Sequence, residues 1–362
     1  MAKEKVSANQ FFSLLYLSLL STVFMYLSSS KVKIAQADSL LRPFVFVLLS
    51  FVVFVPVCLI LRRCIDLKNK RQYISKSVFL RITAVLYALI YMLGIIKASA
   101  RFDLFVSSEL FPDSDMTIFL VAIIFACALL STLGLGALSR SAGIFTVLVC
   151  VSTAIVMISL RGEIDFLNFT PLFENGAVEF MQEGMMFAVQ ATEIGTIIMF
   201  LPDIDGNVKK SFALWTILGA ASFSLIFFFV VGSLGAFADT QLFPTYAAVS
   251  LASFGLLERI DALETAVWIM CVVEKISFFF LIVVKALRYA LGEKYKNFIL
   301  ITVTATASFI ISAISYDIGF FAFLSADAVS VVLFSLSAVI LPISVYIYIK
   351  RVRPRDEIQE NI

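Results

Sequence analysis

The sequence contains no histidine. That absence removes the commonest general base and the commonest metal ligand. Charged residues are scarce: they make up 15% of 362 residues, where a soluble domain has about 25%. The net charge is only +2, so a basic footprint for nucleic acid is missing. Cysteine is limited to Cys58, Cys64, Cys127, Cys150 and Cys271, with no C-x-x-C spacing and mostly within apolar runs. These read as small buried hydrophobes, not as a redox or metal set. There is no H-E-x-x-H, no G-x-S-x-G with partners and no hydrolase-type carboxylate pair. An enzyme is therefore not expected, nor is a metal or cofactor.

What fills the chain is apolar surface. Hydrophobic residues reach 61%, and phenylalanine alone occurs 37 times. A soluble fold of this size could not hide so much apolar area, so the expected solvent is lipid. A membrane-spanning helix needs roughly 20 apolar residues. Runs of that kind lie at about 8–30, 42–61, 78–98, 116–136, 142–160, 178–201, 212–235, 263–288, 297–316 and 326–349. The expectation is an all-α polytopic membrane protein with about ten transmembrane helices, in one membrane domain. A β-barrel is excluded, because its strands would be short and alternate polar with apolar. Lys3 and Lys5 precede the first run, but no A-x-A-like site follows Ser28 to Ser30, so that run reads as an uncleaved span. The stretch from about 236 to 262 holds Pro244 and an apolar run, Tyr246 to Leu257, which suggests a surface or re-entrant helix.

Lysine and arginine set the orientation. With the N-terminus inside, cytoplasmic segments carry about 19 of them and the opposite side about 7. Both termini are then cytoplasmic and the number of spans is even. Ten spans divide into two sets of five, residues 1–160 and 161–362. An odd count per half places the second half upside down relative to the first, the 5+5 inverted-repeat (LeuT-like) plan of many secondary transporters. In such folds the first helix of each half breaks near the midplane. Helix 6 has the residues for a break: Gln190-Ala191-Thr192-Glu193-Ile194-Gly195-Thr196, then Leu201-Pro202. Helix 1 offers Ser18, Ser21 and Thr22 but no glycine, and those hydroxyls suit packing as well as binding.

A charge at mid-bilayer costs about 2.5–3.5 kcal/mol on insertion scales and calls for a reason. Helix 6 places Glu193 there, and helix 8 places Glu274 and Lys275. Adjacent residues on a helix point about 100° apart, so Glu274 and Lys275 cannot simply neutralise each other. Lys275 is expected to share one polar centre with Glu193 or Glu274, either as a structural ion pair or as a substrate or ion site. The candidate ligand-binding set is Gln190, Thr192, Glu193, Gly195, Ser21 and Thr22, with Lys275 and Glu274 as the coupling centre. Lys285 is expected to snorkel towards the cytoplasm. Glu183, Glu264 and Asp327 suit helix starts, and Lys97 and Arg101 suit the outer end of helix 3.

Several segments resemble a known family. They are Val6 to Phe11 before helix 1, Gly134 to Arg140 after helix 4, and Asn168 to Gly176 before helix 6. Thr192-Glu193 in helix 6 also fits. The longest is Phe254 to Ala262, followed by Trp268 and Lys275-Ile276-Ser277. Together they resemble the B subunit of bacterial spore germinant receptors, the endospore germination permease family. The chain departs from that family at Ser21 to Phe24, where glycine is common. The resemblance implies the amino acid–polyamine–organocation transporter fold and a place in the spore inner membrane beside an A and a C subunit. It implies binding of a small nutrient, often an amino acid, coupled to ion release in germination. The alternative is an ion-coupled amino-acid transporter of the same fold, in which Lys275 could stand in for a bound cation.

Overall fold

The computed structural model describes residues 5–26, 35–75, 77–112, 116–174, 176–252, 260–292, 295–318, 323 and 326–351. Of the longest family-like segment, Phe254 to Ala262, residues Phe254 to Arg259 lie outside the described residues, as do Ser28 to Ser30. Among the described residues, apart from one two-residue strand pair, the regular structure is helical.

The short strand β1 (Val6–Ser7) leads into α1 (Ala8–Tyr26). A 3-10 turn (Ala37–Leu41) opens α2 (Arg42–Ser75), and α3 (Val78–Phe105) continues through a π turn (Val106–Leu110). Two further helices, α4 (Met116–Ser131) and α5 (Leu135–Leu160), follow. Next comes α6 (Gly176–Ala188), a 3-10 segment (Thr192–Thr196), α7 (Ile197–Phe200) and β2 (Ile204–Asp205). The rest is α8 (Val208–Leu234), the short α9 (Pro244–Ser250), α10 (Ile260–Leu291) and α11 (Asn297–Ile318). The last span runs as α12 (Asp327–Phe334), a π segment (Ser335–Ile340) and α13 (Leu341–Arg351).

Among the described residues, seven helices are long and apolar enough to cross a membrane, and the bent pair formed by Gly176–Ala188 and Thr192–Asp203 makes an eighth. Two shorter apolar helices, Ala8–Phe24 and Ile118–Ser131, occupy the positions of the first and fourth expected spans. The protein is a polytopic membrane protein. The loop expected between spans four and five, about 137–141, is helical instead. The break sits earlier, at Gly134, whose φ of +85° is a conformation that residues with a Cβ rarely adopt. Arg140 lies within α5, because a charge at a membrane surface does not stop a helix.

Burial differs sharply among the spans. The most apolar stretch of α10 is 78% buried, against 22% for that of α5. So α10 is the central post, packed against α1, α3, α4, α5 and α11, while α2 lies along α6 and α8. Phe44, Val52, Phe125, Ile144 and Val303 point outward, as a lipid-facing surface requires. Cys127 and Cys271 are buried and Cys150 is exposed, all as free thiols.

The two ends of the chain's broken span are tied down differently. At the end carrying the N-terminus, β1 pairs in parallel with β2, Val6 opposite Ile204 and Ser7 opposite Asp205. Beside it Lys285 of α10 pairs with Asp203 and lies 3.8 Å from the Phe200 ring centre. Lys285 therefore does not reach freely for the interface, because Asp203 offers its ammonium a partner on the bundle. At the opposite end, Arg42 of α2 meets Glu183 of α6 at 2.5 Å, with both residues buried. Glu183 is thus an ion-pair partner in mid-α6, not a helix-start carboxylate.

Candidate functional site

The site begins with a helix that fails. Between α6 and the 3-10 segment, Val189 to Ala191 leave the α-helical path and the axis bends by 47°. Lipid offers no water to the backbone groups released by such a break, so protein must satisfy them. Tighter turns take up part of the load: Gln190 N–H donates to Phe187 O at 3.2 Å and Ala191 N–H to Ala188 O at 3.1 Å. The Tyr91 hydroxyl, from α3, donates to the free carbonyl of Thr192 at 2.7 Å. The Thr196 hydroxyl covers the carbonyl of Glu193 at 2.7 Å.

This short segment packs against the π segment of the last span. A Cβ on Gly195 would stand 2.4 Å from the carbonyl oxygen of Ser337, so only glycine allows the approach. Tyr87 of α3 donates to the same carbonyl at 3.0 Å. Two irregular backbones are thus held together by the hydroxyls of Tyr87 and Tyr91, whose rings stack 6.2 Å apart.

Glu193 follows directly from the break and has no exposed surface. Its Oε1 receives the ammonium of Lys275 at 2.6 Å and the hydroxyl of Ser18 at 2.9 Å. Lys275 also donates to the Thr22 hydroxyl and, at 3.2 Å, to the carbonyl of Ser18. Three elements therefore converge on one pair of charges: α1, the broken span and α10. Glu193 Oε2 has no hydrogen-bond partner.

Of the expected residues, Glu193, Lys275 and Thr22 are brought together. Glu274 lies apart, as its position one residue from Lys275 requires: its Oε1 accepts from Ser141 of α5 at 2.5 Å. Ser21 bonds only to its own helix, at Ser18 O. Gly195 serves the backbone contact. Gln190 and Thr192 face a cavity.

That cavity, open on one side, lies between α1, α3, the break, α10 and α12. Thr22, Gln190, Thr192 and Lys275 line it, with Tyr91, Phe279 and Ser330. So do Lys97 and Arg101, one turn apart on α3, and Lys97 donates to Ser330 at 2.9 Å. All three charged side chains in the wall are cations. Residues taken from the sequence as the outer end of a helix are thus part of the cavity wall. The signal was present: Gly94, Lys97 and Arg101 follow the three- and four-residue spacing of one helix face. Ser18, whose hydroxyl reaches Glu193, joins the centre although it is not in the candidate binding set.

A few convergent polar groups and a cationic wall suit a small ligand bearing a carboxylate. The side-chain set contains no cluster of metal-ligating residues among those described.

The family model described as spore germination protein matches residues 5–321. Comparison with curated proteins finds no match to the chain.

Proposed function

The chain belongs to the spore germination permease family, and we propose that it is the nutrient-binding membrane subunit of a spore germinant receptor. The observation that carries this reading is the buried Glu193–Lys275 pair at a helix break, directly beside a cavity with a cationic wall. A ligand carboxylate is drawn to Lys97 and Arg101, while Gln190 and Thr192 orient its remainder. An amino acid is the ligand class that fits.

The mechanism is differential binding. A ligand shifts an equilibrium only as far as it prefers one state over the other. Lys275 touches both the cavity and the Glu193–Ser18 cluster, so a bound carboxylate competes with Glu193 for the ammonium. Loosening that pair frees the broken span to move against α1 and α10. In this reading the ten spans form a 5+5 inverted-repeat bundle with both termini cytoplasmic, in the spore inner membrane. The A and C subunits sense the movement, which leads to ion release. The role is binding and coupling, with no catalysis and no cofactor.

A second reading, an ion-coupled amino-acid transporter, draws on the latches at both ends of the broken span. Arg42–Glu183 at one end and Lys285–Asp203 at the other would suit alternating access. Spores carrying Lys97→Met with Arg101→Met should lose the response to carboxylate-bearing germinants while the subunit still accumulates. An unchanged response removes the cavity from the proposal. Uptake of labelled amino acid by the purified chain in proteoliposomes would favour the transporter.

A further inference from the structure

Glu274 stands apart from the Glu193–Lys275 pair, and the function above leaves it without a role. It faces the seam between α10 and α5, and α4 closes in beside it, where the Cys127 thiol meets the Val273 carbonyl at 3.6 Å. Only 2% of Glu274 is exposed. Among the described residues its hydrogen-bond partner is the Ser141 hydroxyl, 2.5 Å from Oε1, and Oε2 has none. No lysine or arginine nitrogen among those residues comes within ion-pair distance of it. Glu193 is as deeply buried, yet it receives both an ammonium and a hydroxyl.

Hydrogen counting separates the two carboxyl groups. An ionised carboxylate has about four acceptor sites, and a buried one needs a countercharge. An ionised Glu274 would have one hydrogen bond and no cation. A buried charge left so poorly compensated is neutralised instead. A protonated carboxyl needs only one acceptor for its hydrogen. Ser141 can be that acceptor, because its own hydrogen has two carbonyls of α5 within reach, Leu138 at 3.0 Å and Ala137 at 3.2 Å. With Ser141 bonded back to its helix, its oxygen is free to accept from a protonated Oε1.

We propose that Glu274 is a proton-binding site, neutral while α5 is packed on α10 and ionised when that seam opens to water. The place suits exchange with water. Ser141 lies only about 9 Å along α5 from its first residue, Leu135, which follows the break at Gly134. Of the seven long spans, α5 is also the least buried, so it can tilt with least disturbance to the bundle. Opening breaks the O–H bond of Glu274: the electron pair stays on the carboxylate and the proton passes to water as hydronium. Closing returns it. The packed seam therefore holds one proton more than the open one, and it weakens as the pH rises.

The other titratable groups around α10 do not take over this role. Cys127 of α4 and Cys271, one turn back on α10, are close enough to feel the charge of Glu274, but both are thiols in apolar surroundings. Lys275 is engaged by Glu193, and Tyr16 of α1 by Ser222. Tyr87 and Tyr91 of α3 bond to the last span and the broken span, Lys97 and Arg101 line the other cavity, and Arg140 is exposed. Neither α9 nor α11 as far as Ile314 brings a charged residue. The site does not rest on the ligand cavity, whose wall includes neither Glu274 nor Ser141.

The test uses the full chain in nanodiscs and infrared spectroscopy, where a protonated carboxyl has a carbonyl band distinct from those of carboxylates and amides. At neutral pH such a band should be present in the unsubstituted chain and lose intensity in Glu274→Gln. Ser141→Ala, which keeps the acid but removes its acceptor, should shift the same band. Melting of the unsubstituted chain should fall with pH more steeply than melting of Glu274→Gln. Their unfolding constants should diverge tenfold per pH unit above the ordinary carboxyl range, for as long as the packed form stays neutral. The proposal is overturned if Glu274→Gln loses only carboxylate bands, if Ser141→Ala leaves the protonated-carboxyl band unshifted, or if the two melting profiles run parallel. Should Glu274→Gln fail to accumulate, the Ser141→Ala comparison decides alone, since both chains then keep the acid.

Discussion

Helix α1 and the span formed by α6 and α7 hold corresponding places in a five-plus-five reading, yet one is continuous from Ala8 to Tyr26 and the other breaks at Val189 to Ala191. Both carry polar residues at mid-span. The difference lies in what those residues can do alone. Hydroxyls bond back to their own helix: Ser21 and Thr22 both donate to Ser18 O, at 2.8 and 3.1 Å. A carboxylate has no donor to offer and finds none within an intact helix. Glu193 must bring partners from elsewhere, and the break provides the freedom to meet Lys275. A hydroxyl-rich span can therefore remain a rod where a carboxylate-bearing one becomes a joint.

The strongest way to break that contrast is to remove the joint's partner. Lys275→Met leaves Glu193 buried without its cation, and loss of one member of a buried pair costs about 3–5 kcal/mol. The chain should melt far earlier in detergent, or fail to accumulate in the membrane. Adding Glu193→Gln should recover most of that loss, since no uncompensated charge remains. The double variant should nevertheless give no ligand response. Recovery of response together with stability would mean that the pair is only glue.

Next in size is Gly195→Ala. The new methyl group would press on the Ser337 carbonyl, a backbone atom that cannot swing away. Overpacking of this kind costs up to about 3 kcal/mol. A melting curve close to that of the unsubstituted chain would show that the broken span and the π segment are not held at contact distance.

The same contrast explains what the sequence could reveal. Long apolar runs announced most spans, because the lipid-facing side of a helix writes itself into hydropathy directly. The helices nevertheless extend further than the runs: α2 continues through the charged residues to Ser75 and α3 to Phe105. Hydropathy reports where lipid ends, not where the hydrogen-bond ladder ends. The break in helix 6 was legible from Glu193 beside Gly195. Which carboxylate would meet Lys275 was not, because the choice between Glu193 and Glu274 depends on how α10 is rotated against two neighbours. Lys97 and Arg101 were misplaced for a related reason. Their height along α3 fits an outer end, but cavity membership is set by the face they share with Gly94, and the depth of α12 opposite them leaves no trace in their own segment.

A smaller effect is expected from Ser18→Ala. The hydroxyl is one of two donors to Glu193 Oε1, and a hydrogen bond to a charged group contributes about 1.5–3 kcal/mol. Lys275 remains in place, so the loss should sit near the lower figure. Thermal melting of the detergent-purified variant measures it. A loss as large as that of Lys275→Met would make Ser18 the organising residue of the cluster and would move the centre of the joint into α1.

Ser21→Ala should do least, and it separates the two kinds of polar residue most cleanly. Ser21 is as buried as Ser18 and one turn away from it on the same helix. Its hydroxyl reaches only the Ser18 carbonyl, which also accepts from Thr22 and Lys275. Removing it leaves no buried group unsatisfied, and alanine is the better helix former. The expected change is within about 0.5 kcal/mol, with ligand response intact. A large loss in either measurement would show that α1 depends on its hydroxyls as the broken span depends on Glu193, and the distinction between rod and joint would fall.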